Sequence, residues 1–398
     1  MTNVLTKLDS VLLTALRTAI IVQVLSLSLS IALSSIAFAL AVILYLYFFF
    51  KHRELVYRPF GLEKYFLAYI IAVILMCLFA WYPADAWSNS RRVLLIAGVF
   101  FIPVICTNEK NIVRFLLALA LLCGVQSMGE IIFLVSKSAA RLGFIQHYMT
   151  AAGMKMIVLL LVLPFILGKV VTARERIIFA VCGAVIAAAL VLTQTRSSWL
   201  GFLVGFVFLA IVVFRYALVP MLAVVIALAL LLPGKMQERI THMFDTSARS
   251  DTNLTQQSNL NRIAMWKTGW RIFSDRPILG VGDGEMWHIY RTYTTPHDDD
   301  EGGHLHNNYV HLLATHGIIG LSVVLLLFAR IVWFEWSLYR RRKNLIARFA
   351  AVGALAAFIG FFISGFAEYN FGDHEILVYL WMTVGLAVGV SQRKEEQR

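Results

Sequence analysis

Apolar residues along this chain gather in long runs broken by short polar or basic segments, and most runs approach the roughly 20 residues a helix needs to cross a bilayer. The runs lie near 12–28, 30–50, 64–82, 92–106, 114–135, 149–168, 176–193, 198–214, 216–233, 308–334, 349–367 and 376–391. They predict an all-α fold, a polytopic bundle of about twelve transmembrane helices forming one integral domain over 1–398. One long polar segment, about 235–306, is expected as a loop or cap within it. Ser26, Ser28 and Ser30 divide the first two runs only weakly. An even number of spans would place both termini on one side, and the first span is expected to be retained, since no small-residue cleavage site follows it.

Orientation follows from the loops. Lys51-His52-Arg53, Lys110 to Arg114, Lys169 to Arg176, Arg340-Arg341-Arg342-Lys343 and Arg393-Lys394 share one parity, which the positive-inside rule assigns to the cytoplasm. Tyr82 to Ser90, Ser136 to Tyr148, Thr193 to Ser197, 235–306 and Glu368 to Glu375 then face outward.

Composition agrees with a membrane protein: 60% of the 398 residues are hydrophobic, 15% are charged and the mean hydropathy is +0.76. A net charge of +12 would suggest nucleic acid in a soluble protein, but here the basic residues sit in loop clusters, so no nucleic-acid partner is expected. Cys77, Cys106, Cys123 and Cys182 all lie within or at the end of apolar runs, a pattern of neither a disulfide framework nor a zinc site.

The outward segment contains a periodic stretch, Asn261 to Phe273, in which Ile263, Trp266, Trp270 and Phe273 recur as on the apolar stripe of an amphipathic helix. Such a helix would lie at the lipid interface, cover a cavity, or simply pack within an outward cap. Gly280-Val281-Gly282-Asp283-Gly284 has no preceding strand and is expected to be a tight, mobile turn rather than a dinucleotide loop.

Three groups could carry chemistry. Arg196, in Thr193 to Trp199, must lie at or just inside the membrane surface, where a charge ordinarily faces an aqueous cavity or an anionic partner, or snorkels. Arg262 and Arg141 are further outward arginines, whose planar donor fork matches phosphate oxygens. His304, His306, His311 and His316 cluster where the polar segment meets the next apolar run. Histidine ordinarily titrates near neutrality and suits proton abstraction from a hydroxyl, yet residue physics alone selects none of the four. His311 and His316 fall inside the helix, where a hydrogen-bonded structural role is usual. His297-Asp298-Asp299-Asp300-Glu301 with His304 raises the competing possibility of a bound Mn or Mg, although the flanking Gly302-Gly303 suits a solvated loop tip.

His306-Asn307, followed by Gly317 and Gly320, resembles the signature of the O-antigen ligase and polymerase superfamily, which also contains O-oligosaccharyltransferases. The Arg196 segment, the large outward loop and the twelve-helix layout are similar too. The resemblance implies a GT-C-like glycosyltransferase of the inner membrane acting in lipopolysaccharide biosynthesis. It would move a glycan from undecaprenyl diphosphate to the lipid A-core on the periplasmic side. It also implies His306 as the catalytic base and Arg196 and Arg262 as ligands of the donor diphosphate, with Arg141 added on the strength of its charge alone. Inverting displacement without metal or other cofactor is expected, since arginines would stabilise the leaving diphosphate. A ligase is favoured over a polymerase because the chain is compact with one outward loop of moderate length. A transporter would be the alternative from another class, but the two halves show no convincing internal repeat.

Overall fold

The structure, a computed structural model, describes residues 6–137, 142, 146–217, 219, 254–294 and 303–393. Among these residues it is all-helical, with nine helices long and apolar enough to span a bilayer. These are α1 (Lys7–Ser26), α2 (Ile31–Lys51), α4 (Pro83–Ile105), α5 (Glu109–Lys137), α6 (Tyr148–Leu167), α7 (Ala173–Leu192), α11 (Asn308–Arg341), α12 (Leu345–Ser364) and α13 (His374–Ser391). Two shorter helices, α3 (Glu63–Leu78) and α8 (Arg196–Val212), fill two more of the expected positions, while the run at 216–233 lies almost wholly outside the described residues. The protein is thus a multi-pass helical membrane protein. Outside the bundle lie α9 (Leu254–Asp275) and the short α10 (Met286–Tyr293).

Local chemistry sets the helix starts. Thr6 with Asp9, and Thr172 with Glu175, form reciprocal capping boxes on α1 and α7. At α11 the cap is Asn307, whose side-chain oxygen accepts the N–H groups of Tyr309 and Val310 at 2.9 and 3.0 Å. Helices α6, α12 and α13 are buried along most of their length and form the centre of the bundle. The Ala- and Gly-rich sequence of α12 lets its neighbours approach closely, as packing between helices in lipid requires. Lys155 on α6 lies 2.9 Å from Glu130 on α5, and both are fully buried, so each charge is compensated where either alone would be very costly.

The two sets of loops gather at opposite ends, as the charge pattern anticipates. At the basic end, Arg342 donates to the carbonyls of Ser391 and Arg393, and Arg393 to those of Cys106 and Asn108. At the other end, Trp81 N–H bonds Val281 O, Gln146 bonds Leu27 O, and Thr150 bonds Asp373.

The segment after α9 is tight, as expected, but it is pinned. Helix α11 breaks at Gly317, whose backbone sits at φ 64°, ψ −168°, a region open essentially to glycine alone. The break frees backbone groups in an apolar setting, and residues 277–282 take them up. Ile318 and Ile319 N–H donate to Pro277 O and Ile278 O at 2.9 and 3.3 Å, while Val281 and Gly282 N–H donate to Ala314 O and Thr315 O at 3.1 and 2.9 Å.

The amphipathic stretch is helical, but its buried stripe is Met265, Thr268, Gly269 and Ile272 rather than the Trp-bearing one. Gly269 explains the choice: lacking a Cβ, it lets α9 settle onto Leu305 and Val310, where an added methyl would come within 2.7 Å of each. The bulkier stripe is divided: Trp266 packs half-buried against the same cluster, while Trp270 is 60% exposed beside the half-buried Phe273.

Replacing glycine by alanine inside a well-formed helix ordinarily raises stability by several tenths of a kcal/mol. At position 317 the sign should reverse. A Cβ there would lie 2.3 Å from Ile278 O in a backbone conformation closed to alanine, so Gly317→Ala should lower stability by roughly 2 kcal/mol or more. Thermal unfolding of the detergent-purified protein measures this, and an unchanged or raised melting temperature would contradict the break.

Candidate active site

The four elements around the break converge on one cluster. His306 precedes the cap of α11, and its backbone is left-handed at φ 43°, an uncommon state for a non-glycine residue. Asn307 holds the next turn, donating through its amide to Phe366 O at 2.8 Å. Asn308 ties the same strand of chain to the α12–α13 connection, donating to Asn370 Oδ1 and accepting from Phe371 N–H. These bonds fix the connection that carries Glu368.

Glu368 Oε1 lies 2.9 Å from His306 Nδ1, and its Oε2 lies 3.6 Å from Arg262 Nη2 on α9. Burial pushes the Glu368 carboxyl upward, but the His306 hydrogen bond and the charges of His306, Arg262 and His304 outweigh it and hold it below the ordinary value. An ionised carboxylate can only accept, so Nδ1 carries the proton and Nε2 is the basic nitrogen. The His304 ring stands edge-on to His306, with centroids 4.1 Å apart. Burial, then the neighbouring His306, lower the His304 pKa to about 4. His304, His306, Glu368, Tyr148, Thr150 and Asp373 line a cavity of about 380 Å³.

A second polar layer lies behind the first. Asp283, from the pinned segment, is 3.3 Å from His311 Nε2 and 3.6 Å from Arg92. Although burial opposes it, the His311 hydrogen bond and charge, with Arg92 and His316, hold the Asp283 carboxyl well below the usual range. The His311 ring packs at 3.7 Å between centroids on Tyr369, the residue after Glu368. His316 shares a hydrogen bond with Thr315 at 2.8 Å. Both internal histidines thus have the structural partners expected of them.

Of the residues singled out from the sequence, His306 and Arg262 meet through Glu368. Arg196 stands half-buried at the first position of α8, where the preceding Thr195 bonds Tyr148 O at 3.4 Å, one residue from the cavity wall. A cation at a helix N-terminus opposes the helix dipole, which makes that end more attractive to an anion. Neither arginine lines the cavity itself. Arg141 and the acidic run 297–301 lie outside the described residues. Sequence reasoning did not single out Glu368, Asp283 or Arg92. The one available signal for Glu368 was an acidic residue in a short outward segment between two apolar runs.

Residues 179–325 match the O-antigen ligase family. The match includes Arg196, Arg262, His306, Gly317 and Gly320, and stops before Glu368. A more distant likeness is to the teichuronic acid biosynthesis protein TuaE of Bacillus subtilis (strain 168), 24% identical over 213 residues. That alignment covers 51% of this chain and 43% of the relative, so the chain spans less than half the length of the relative it matches. Both likenesses are to proteins of surface-polysaccharide synthesis, by their printed descriptions, and both are partial.

His304 generates a pH prediction. Its folded pKa of about 4 lies below the ordinary histidine value of 6.5, so the unfolded chain takes up the proton first as the pH falls. The stabilisation is complete above about 6.5 and is lost on descent toward 4, amounting to about 3 kcal/mol at most. Melting temperature should therefore fall between pH 7 and 4.5, and His304→Phe should flatten that part of the curve. An identical slope in the variant would show that His304 is not buried as described.

Proposed function

We propose that the protein is an O-antigen ligase, transferring a glycan from undecaprenyl diphosphate to the lipid A-core at the periplasmic face of the inner membrane. The observation that carries this reading is the His306 Nδ1–Glu368 hydrogen bond at the wall of a cavity, with Arg262 on the carboxylate's other oxygen. An imidazole fixed in one tautomer by a buried carboxylate is equipped to take a proton through its other nitrogen.

In the proposed reaction an acceptor hydroxyl gives its proton to His306 Nε2 as its oxygen forms a bond to the anomeric carbon. The bond from that carbon to the diphosphate oxygen breaks, and the electron pair leaves with the diphosphate. Glu368 stabilises the imidazolium that forms. Arg262 engages Glu368 with one edge of its guanidinium and has further donors for phosphate oxygens, and Arg196 supplies a second cation from the end of α8. Arg141 remains a further proposed diphosphate contact. Charge grows on the departing group, so these arginines act most strongly in the transition state. Neither metal nor cofactor is called for. The exposed Trp270, with the half-buried Phe273 beside it, would lie against the polyprenyl chain at the membrane surface.

A polymerase, which extends one lipid-linked repeat with another, would use the same base and donor site. The relative named for teichuronic acid biosynthesis favours keeping this second reading. Gene deletion separates the two: a ligase loses all long chains from lipid A, whereas a polymerase leaves single repeats.

Two sets of variants test the site with a synthetic lipid-diphosphate donor in detergent. His306→Ala should reduce transfer by about 10²–10⁴-fold while donor binding persists. Glu368→Gln should fall in the same direction, because the amide can present its N–H to Nδ1 and reverse the tautomer. Near-full activity of His306→Ala would remove the base assignment.

Arg196→Lys and Arg262→Lys keep charge but lose the planar fork, so each should lower the rate at saturating donor as well as donor affinity. Kinetics in which only the apparent acceptor affinity changes would contradict the diphosphate role.

A further inference from the structure

The same cluster has a second chemical character. His304 and His306 each offer a ring nitrogen and Glu368 a carboxylate oxygen, all three within 4.8 Å of one another. Two imidazoles and one carboxylate on one side of a space with open positions form a donor set that suits a borderline transition metal such as Zn²⁺. Glu368 is only 7% exposed, and its Oε2 has no hydrogen-bond partner, only the Arg262 ion pair at 3.6 Å. The adjoining cavity has room for the water ligands that would complete a coordination shell.

We infer that His304, His306 and Glu368 form a Zn²⁺-capture site whose occupation shuts off transfer by occupying the base. The inhibitory half rests on the proposed role of His306, whereas the binding half stands on the geometry alone. Drawing three atoms now up to 4.8 Å apart around an ion with bonds of roughly 2.0–2.2 Å requires side-chain rotations of about an ångström. The cavity on one side leaves His304 space to make them. The guanidinium of Arg262 beside Glu368 opposes a cation, so affinity should be micromolar, that of an inhibitory site rather than of a structural zinc. His304 thereby gains a role distinct from that of its neighbour: it is the ligand that turns a proton-transfer pair into a three-point metal site.

The test is Zn²⁺ titration of the detergent-purified full chain against a chelating dye, with Co²⁺ absorption as a spectroscopic check. One Zn²⁺ per chain should bind, His304→Ala and Glu368→Gln should each weaken binding by about tenfold or more, and His288→Ala, at a more exposed histidine near Glu285, should not. Melting curves recorded without metal establish that the variants are folded, and His304→Gln serves in place of His304→Ala if the latter is not. Absence of stoichiometric binding, or binding indifferent to His304 and Glu368, would overturn the site. In parallel, metal-free protein should transfer glycan, bound Zn²⁺ should stop it, and a chelator should restore it. If Zn²⁺ binds through the triad while transfer continues unchanged, the inhibitory half falls together with the base assignment, and the metal site stands.

Discussion

Backbone groups inside a bilayer have no water to bond, and this chain nevertheless interrupts a long membrane helix at Gly317. The interruption is tolerated because residues 277–282 return from outside and satisfy the freed groups with four backbone hydrogen bonds. That pairing fixes the register between the outer helix α9, which brings Arg262, and α11, which follows directly on His306. It also delivers Asp283 to His311 and Arg92, and His311 in turn packs on Tyr369, next to Glu368. The histidine and the arginine thus owe their meeting to one satisfied break, and the asparagine bonds to the α12–α13 connection bring the carboxylate to them.

The chemistry follows from that meeting. A buried carboxylate flanked by a histidine and an arginine stays ionised despite burial, and in doing so it chooses the tautomer of the histidine. His306 is held in a left-handed backbone state, with a helix cap beginning at the next residue, so its position is determined by the backbone on both sides. Arg262 reaches the same carboxylate from a helix that also carries the exposed Trp270. The proposed transfer from a lipid-borne glycan would use both: a fixed polar centre, and an apolar approach at its edge.

Much of this was legible in the chain. Long apolar runs and the parity of basic loops anticipated the bundle and its two ends, because length and charge are nearly sufficient constraints in a membrane. The motif around His306 and Asn307 singled out a histidine that the structure brings together with Arg262 through Glu368. What periodicity could not give was which face of α9 is buried. Hydrophobicity favours the tryptophan stripe, but close approach at Gly269 decides otherwise, and that depends on the partner surface of Leu305 and Val310. Glu368 escaped for a related reason: it lies 62 residues from His306, and their contact exists only through the asparagine bridges between α11 and the α12–α13 connection.

The proposed reaction is a direct displacement at the anomeric carbon, with a single base on one side and cationic support for the leaving diphosphate on the other. It is tested most directly by the stereochemistry of the product. A donor of defined anomeric configuration is converted by the purified protein, and the new glycosidic bond is assigned by NMR coupling constants. A direct displacement should invert the centre, with one free polyprenyl diphosphate released per bond formed. Retention of configuration would require a covalent glycosyl intermediate or an internal return, and it would contradict a mechanism in which His306 does no more than remove the acceptor's proton.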